Sequence, residues 1–192
     1  MKGVAIQILA AVCLVTIGSN ISVSQQKRTP NISYIIHVDQ SDLSGFNVEM
    51  KLRGVKAPVR LAMASHPEYD DRYWRYIENL SAKSQNVELR VDKEESEVWR
   101  IYNRTSNVDV TYRVHLPPQT SAIRDSWKPF LSATCGLVGD LHSLMYVIGA
   151  TTVPARITLD IPRGWAVASA LQPLNDPLAR HLRPGIITPD GT

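Results

Sequence analysis

The sequence predicts an all-β protein, an antiparallel β-sandwich with one short helix or aromatic loop. Two observations carry that expectation. Short segments in which apolar and polar residues alternate recur along most of the chain, and turn-forming residues separate them. Only one stretch beyond the first 24 residues shows helical spacing.

The first 24 residues have the form of an export signal. Lys2 supplies the positive start, residues 4–17 form an apolar core broken only by Gln7 and Thr16, and Ser22-Val23-Ser24 offers small residues for cleavage before Gln25. That core is shorter than the about 20 residues a membrane-spanning helix needs. The expected product is exported, periplasmic or extracellular, with no stable membrane span once the signal is removed. Residues 25–31, polar and closed by Pro30, are expected to be a flexible N-terminus.

The β domain is expected over residues 32–171. Residues 32–38 are aromatic and β-branched. Phe46, Val48, Met50 and Leu52 then alternate with Asn47, Glu49, Lys51 and Arg53, so one face looks inward and the other meets water. Val59, Leu61 and Met63 repeat the pattern, as do Val87, Leu89 and Val91. Residues 98–102 and 108–116 flank a polar turn, Asn103 to Asn107, and are expected to pair as a hairpin. Strands are also expected at 143–148, at 155–161 and, after the turn Pro162-Arg163-Gly164, at 165–168, making eight or nine in all.

Two stretches depart from this period. In residues 69–80, YDDRYWRYIENL, Tyr69, Tyr73, Tyr76 or Ile77, and Leu80 recur at helical spacing, which predicts a short helix or a wide aromatic loop. Residues 117–139 form a long connection of the kind that covers a sheet end or serves a partner. The segment 172–192, with Pro173, Pro177, Pro184 and Pro189, is expected to be extended or disordered.

A net charge of +3, falling to +2 without Lys2, gives no argument for nucleic acid, and the basic residues form no stripe that would track phosphates. After signal removal Cys135 is the only cysteine, so no internal disulfide forms. Its place in the apolar run 133–138 predicts a buried small hydrophobe. His37, His66, His115, His142 and His181 include no pair three or four apart and no HExxH, so no metal site and no cofactor are expected. His37 and His115 read as exposed or hydrogen-bonded strand residues. No serine lies in a GxSxG elbow and no glycine pattern cradles phosphate. The chain is therefore expected not to be an enzyme. The densest candidate binding group is Tyr69, Arg72, Tyr73, Trp74, Arg75 and Tyr76, since arginine and aromatics make compact desolvated anchors. The competing role for Tyr73 and Trp74 is to close an end of the sandwich while the arginines stay solvated.

The order of features over residues 34–171 resembles the N-terminal β domain of the M61 peptidases, the glycyl aminopeptidase family. The sequence from Pro154 to Leu171, PARITLDIPRGWAVASAL, resembles that family's P-V-x-V-x-L-x-L-P-x-G-W-x-V-A-T-A-L. Val110-Thr111-Tyr112-Arg113-Val114 is similar to its V-x-Y-x-V strand, and Gly139 to Tyr146 to its N-G-T-x-L-F-x-Y segment, with Asp140-Leu141 in place of Asn-Gly. Arg124 stands where the family often has an Arg-Thr pair. The resemblance implies a noncatalytic domain, with zinc, HExxH and the general base belonging to a catalytic domain that has no matching positions here. Peptide or protein is the expected ligand, with Tyr69, Arg72, Tyr73, Trp74, Tyr76 and Arg124 as the candidate binding residues. Two alternatives stand beside it: a substrate-cleft fragment of a zinc aminopeptidase, and an unrelated periplasmic adhesion or carrier domain. Oligomeric state is not legible.

Overall fold

The structure is a computed structural model that describes residues 29–64, 72–116, 129–138, 143–171 and 173–174. Within these, twelve strands form three sheets. They are β1 (Asn31–His37), β2 (Gly45–Arg53), β3 (Val59–Ala62), β4 (Ile77–Ser84), β5 (Val87–Glu88), β6 (Val91–Lys93), β7 (Val98–Ile101), β8 (Asn107–His115), β9 (Phe130–Leu131), β10 (Gly136–Leu137), β11 (Tyr146–Val147) and β12 (Ala155–Asp160). The six-stranded sheet runs β12-β1-β2-β8-β4-β5, the four-stranded sheet β11-β3-β7-β6, and β9 and β10 make a separate hairpin.

The alternation seen in the sequence becomes the burial pattern. In β2, Phe46, Val48, Met50 and Leu52 are buried, and in β8, Val108, Val110, Tyr112 and Val114 are. The two strands pair antiparallel over their full length, from Gly45 opposite His115 to Arg53 opposite Asn107. Gly45 is required at the start of this ladder, because a Cβ there would lie 2.4 Å from the Val114 carbonyl oxygen. Leu61 and Met63 and, from β7, Trp99 and Ile101 complete the core between the two larger sheets.

Two tyrosines tie the sheets together. The Tyr34 hydroxyl donates to the Met145 carbonyl at 2.6 Å. The Tyr112 hydroxyl donates to the Ser143 carbonyl at 2.9 Å and accepts from the Met145 N–H at 3.1 Å. Ser143 and Met145 are fully buried, so these bonds supply partners that water does not. Burial raises the Tyr34 hydroxyl pKa to about 12, and raises that of Tyr112 as well.

Several expectations are corrected. The segments at 98–102 and 108–116 do not form a hairpin: β7 lies in the four-stranded sheet and β8 in the six-stranded one. The chain changes sheets between them at buried Asn103, whose Oδ1 accepts from the Val59 N–H at 2.9 Å and whose Nδ2 donates to the Thr105 carbonyl at 2.8 Å. The expected single strand at 87–91 is also divided. Leu89 N–H still bonds Ala82 in the six-stranded sheet, whereas the Arg90 carbonyl already accepts from Tyr102 in the other.

Of the short helix or aromatic loop expected over 69–80, the described residues hold one 3-10 turn at Tyr73–Tyr76, and strand β4 begins directly after it at Ile77. Gln85 and Asn86, both at positive φ (51° and 66°), make the tight turn from β4 to β5. The expected strand at 143–148 is only β11, and that at 165–168 is a single bridge at Val167. Between them the turn at 162–164 forms as expected, with Gly164 at φ 86°. Among the pairings, β1 with β12 is parallel, an exception to the antiparallel ladders. Cys135 is exposed, not buried: it sits on the β9–β10 turn, where the Ser132 N–H donates to its carbonyl at 2.8 Å. The apolar run around it belongs to a small two-stranded hairpin at the margin of the core, against which Leu131 and Val138 pack.

Candidate functional site

The aromatic and arginine segment separates into an inner and an outer half. At Arg72 the backbone is neither helical nor extended (φ −79°, ψ 55°), and its carbonyl accepts from the Arg75 N–H at 3.0 Å, closing the 3-10 turn. Ile77 is extended, so the turn ends where β4 begins. This turn inserts Tyr73 into the core, where it is 4% exposed, and tilts its ring against Tyr76 at 6.1 Å between centroids. Trp74 is half-buried. The Lys93 ammonium lies between two indoles, 4.7 Å from the Trp74 ring and 5.1 Å from that of Trp99, which pins the turn to the four-stranded sheet.

Arg72 and Arg75 face outward, and Tyr76 is half-buried beneath Arg75, whose guanidinium lies 5.6 Å from the Tyr76 ring. The Arg75 Nε also donates to the Arg72 carbonyl at 3.2 Å. The structure thus gathers Arg72, Tyr73, Trp74, Arg75 and Tyr76 in one turn, with Tyr73 and Trp74 packing inward and the arginines presented to solvent. Tyr69 and Arg124 lie outside the described residues.

A second polar constellation, spread over distant strands, was not legible in the sequence as a group. On the outer face of the six-stranded sheet, His37, Asn47, Glu49, Asn79, Thr111 and Arg113 line a shallow hollow of about 380 Å³. His37 also borders a neighbouring hollow, together with Asp160 and Pro162. The register puts His37, Asn47 and Arg113 in one row across β1, β2 and β8. Asn79 reaches the rim because β4 bulges between Glu78 and Ser81, with Asn79 at φ 53°.

The His37 Nδ1 lies 2.9 Å from Asp160 Oδ2, a hydrogen bond when that nitrogen carries the proton. Its Nε2 lies 3.4 Å from Glu49 Oε1, close enough for an ion pair with a protonated ring but too poorly directed for a hydrogen bond. Arg113 is held by Asp42 at 2.8 Å and by the Ser44 hydroxyl at 3.0 Å. Hydrogen bonds from the Ser44 hydroxyl and N–H, then Arg113, hold the Asp42 carboxyl below its usual pKa. The two carboxylates beside His37 engage different ring nitrogens and so do not converge on one point. No metal-holding group of His, Cys, Asp and Glu occurs among the described residues. The described residues do not fit a zinc centre, and no HExxH occurs in the sequence.

The family model of the peptidase M61 N-terminal domain matches residues 33–182. The chain belongs to this family. Membership sets aside the unrelated adhesion or carrier domain. Among solved structures, the chain is similar to an aminopeptidase N family protein from Idiomarina loihiensis, with a TM-score of 0.59 and 20% identity. That likeness concerns the fold, and it covers 69% of this chain but 22% of the other, so this chain spans about a fifth of that protein. The curated proteins contain no match. No helix among the described residues is long and apolar enough to cross a membrane.

Proposed function

We propose that this member of the M61 N-terminal family is an exported, noncatalytic β domain that binds peptide or protein through the outward side of the segment around Arg72, Arg75 and Tyr76, with Tyr69 and Arg124 contributing. The observation that supports this reading is the division of labour in the 3-10 turn: Tyr73 and Trp74 are held by the core and by Lys93, while two adjacent guanidiniums and a tyrosine edge stand at the surface. A rigidly backed arginine and aromatic group keeps its geometry without a ligand, so less ordering opposes binding. Export rests on the form of residues 1–24, and the mass of the protein recovered outside the cytoplasm is expected to correspond to a start at Gln25.

The test compares peptide-library binding by the chain and by an Arg72→Glu, Arg75→Glu variant. Both positions are exposed, so the fold is expected to survive, which a Tyr73→Ala change would not allow. Loss of signal in a folded variant supports the site, and equal signals remove it. A second reading, a wall of the substrate cleft of a zinc aminopeptidase, draws on the 22% coverage of the aminopeptidase N family protein. It predicts an HExxH reading frame directly downstream in the genome.

A further inference from the structure

The outer edge of β12 has the pattern of a strand that pairs with itself. β12 pairs with β1 on one side, and no strand among the described residues occupies the other. It is the longest such edge: the other outermost strands of the two larger sheets, β5, β6 and β11, have two or three residues. Natural edges are blunted by lysine, proline, bulges or brevity. β12 has no lysine, proline or bulge, is six residues in unbroken register with β1, and its two charged residues, Arg156 and Asp160, are of opposite sign.

Which groups face the open side follows from the ladder. The Asp160 carbonyl accepts from the Val38 N–H, so the backbone groups of Asp160, and by alternation those of Thr158 and Arg156, are directed at β1. Those of Ala155, Ile157 and Leu159 are then directed outward. The side chains of Ile157 and Leu159 share the inner face with their register partners Tyr34 and Ile36. They remain half-covered where Tyr34 and Ile36 are buried, so this margin of the core is incompletely closed.

We propose that a second copy of this chain completes the edge, two β12 strands pairing antiparallel about a two-fold axis at Thr158. In that register Ile157 lies opposite Leu159 of the other copy. Both have outward backbone groups, so the two such pairs exchange their N–H and C=O bonds while their side chains lie together on the inner face. Arg156 lies opposite Asp160 of the other copy, and Thr158 opposite its own counterpart, all on the outer face. Arg156 and Asp160 are both exposed, and Asp160, whose Oδ2 already engages His37, meets Arg156 of the other copy as a second partner. Charge, backbone phase and side-chain face agree in this one register. Slipping it by two residues takes Arg156 away from Asp160, and slipping by one puts apolar side chains on the outer face. The result is one continuous sheet of twelve strands across the dimer.

Cysteine cross-linking reads the register. In the full chain with Cys13 and Cys135 changed to serine, Thr158→Cys is expected to oxidise to a covalent dimer, because directly opposed residues of this pair type lie about 4.5 Å apart at Cα. Arg156→Cys is expected not to, since its own counterpart is four positions out of register, about 13 Å away. Sedimentation then tests the charges. Arg156→Asp alone and Asp160→Arg alone are expected to be monomeric, with far-UV circular dichroism unchanged, whereas their mixture pairs both opposite charges and restores the dimer. A wild-type chain that stays monomeric at submillimolar concentration overturns the proposal. So does a Thr158→Cys chain that fails to cross-link, or single charge variants that dimerise as the wild type does.

Discussion

Replacing Tyr112 by phenylalanine removes one oxygen and leaves two buried backbone groups without partners. The Ser143 carbonyl loses its donor at 2.9 Å and the Met145 N–H its acceptor at 3.1 Å, in a place from which water is excluded. Each stranded group costs roughly 1–3 kcal/mol, so the variant is expected to lose about 2–6 kcal/mol of stability. Tyr34→Phe is the internal control. It strands only the Met145 carbonyl, bonded at 2.6 Å, and is expected to lose about 1–3 kcal/mol. Urea unfolding of the three proteins gives the comparison, with equal m-values as the sign that only the native state has changed. Because both tyrosines hold residues 143–145, amide exchange at Tyr146 and Ile148, the residues of this stretch whose N–H groups face β3, is expected to quicken more in Tyr112→Phe than elsewhere in the sheet. A Tyr112→Phe variant within about 0.5 kcal/mol of wild type, or less affected than Tyr34→Phe, refutes the reasoning.

The same tyrosines set the alkaline limit. A pKa raised in the folded state from 10.0 to about 12 for Tyr34 means that the native protein retains a proton the unfolded chain has released. This contribution is complete below pH 10 and is lost as pH rises toward 12, amounting to about 3 kcal/mol. Unfolding midpoints measured across that window are expected to fall, and less steeply in Tyr34→Phe. Trp74→Ala removes one of the two rings flanking Lys93 and is expected to cost about 1–2 kcal/mol, with much of that effect absent in a Lys93→Ala background, as a double-mutant cycle of thermal unfolding would show.

Period-two alternation told which side chains point inward, and in β2 and β8 it was nearly sufficient. It says nothing about which sheet a strand joins. The strands on either side of Asn103 have the same pattern because they face one core from opposite sides, and a crossing anchored by the Asn103 amide and by bonds from distant Val55 and Ser84 looks in sequence like an ordinary polar turn. β4 was hidden for a different reason. The bulge around Asn79 shifts its phase midway, so Ile77 before the bulge and Ala82 after it fit no common alternation, while the spacing from Tyr73 to Leu80 imitates a helix. At the candidate site, the residue types that drew attention to Arg72–Tyr76 were legible, but the inward turn of Tyr73 and Trp74 depends on Lys93 and Trp99 from other strands. His37, Glu49 and Asp160 had no local signal at all: the two carboxylates beside His37 lie on different neighbouring strands, and Asp160 is 123 residues away from it.

That separation orders the events of folding. β1 and β2 meet through a short loop and can form a hairpin as soon as both exist. The opposite flank of β1 waits for β12, and closing a loop of 123 residues costs roughly 4 kcal/mol in chain entropy. Until then one side of β1 is an exposed template bearing Ile32, Tyr34 and Ile36, the interval in which this chain is most open to pairing with the wrong strand.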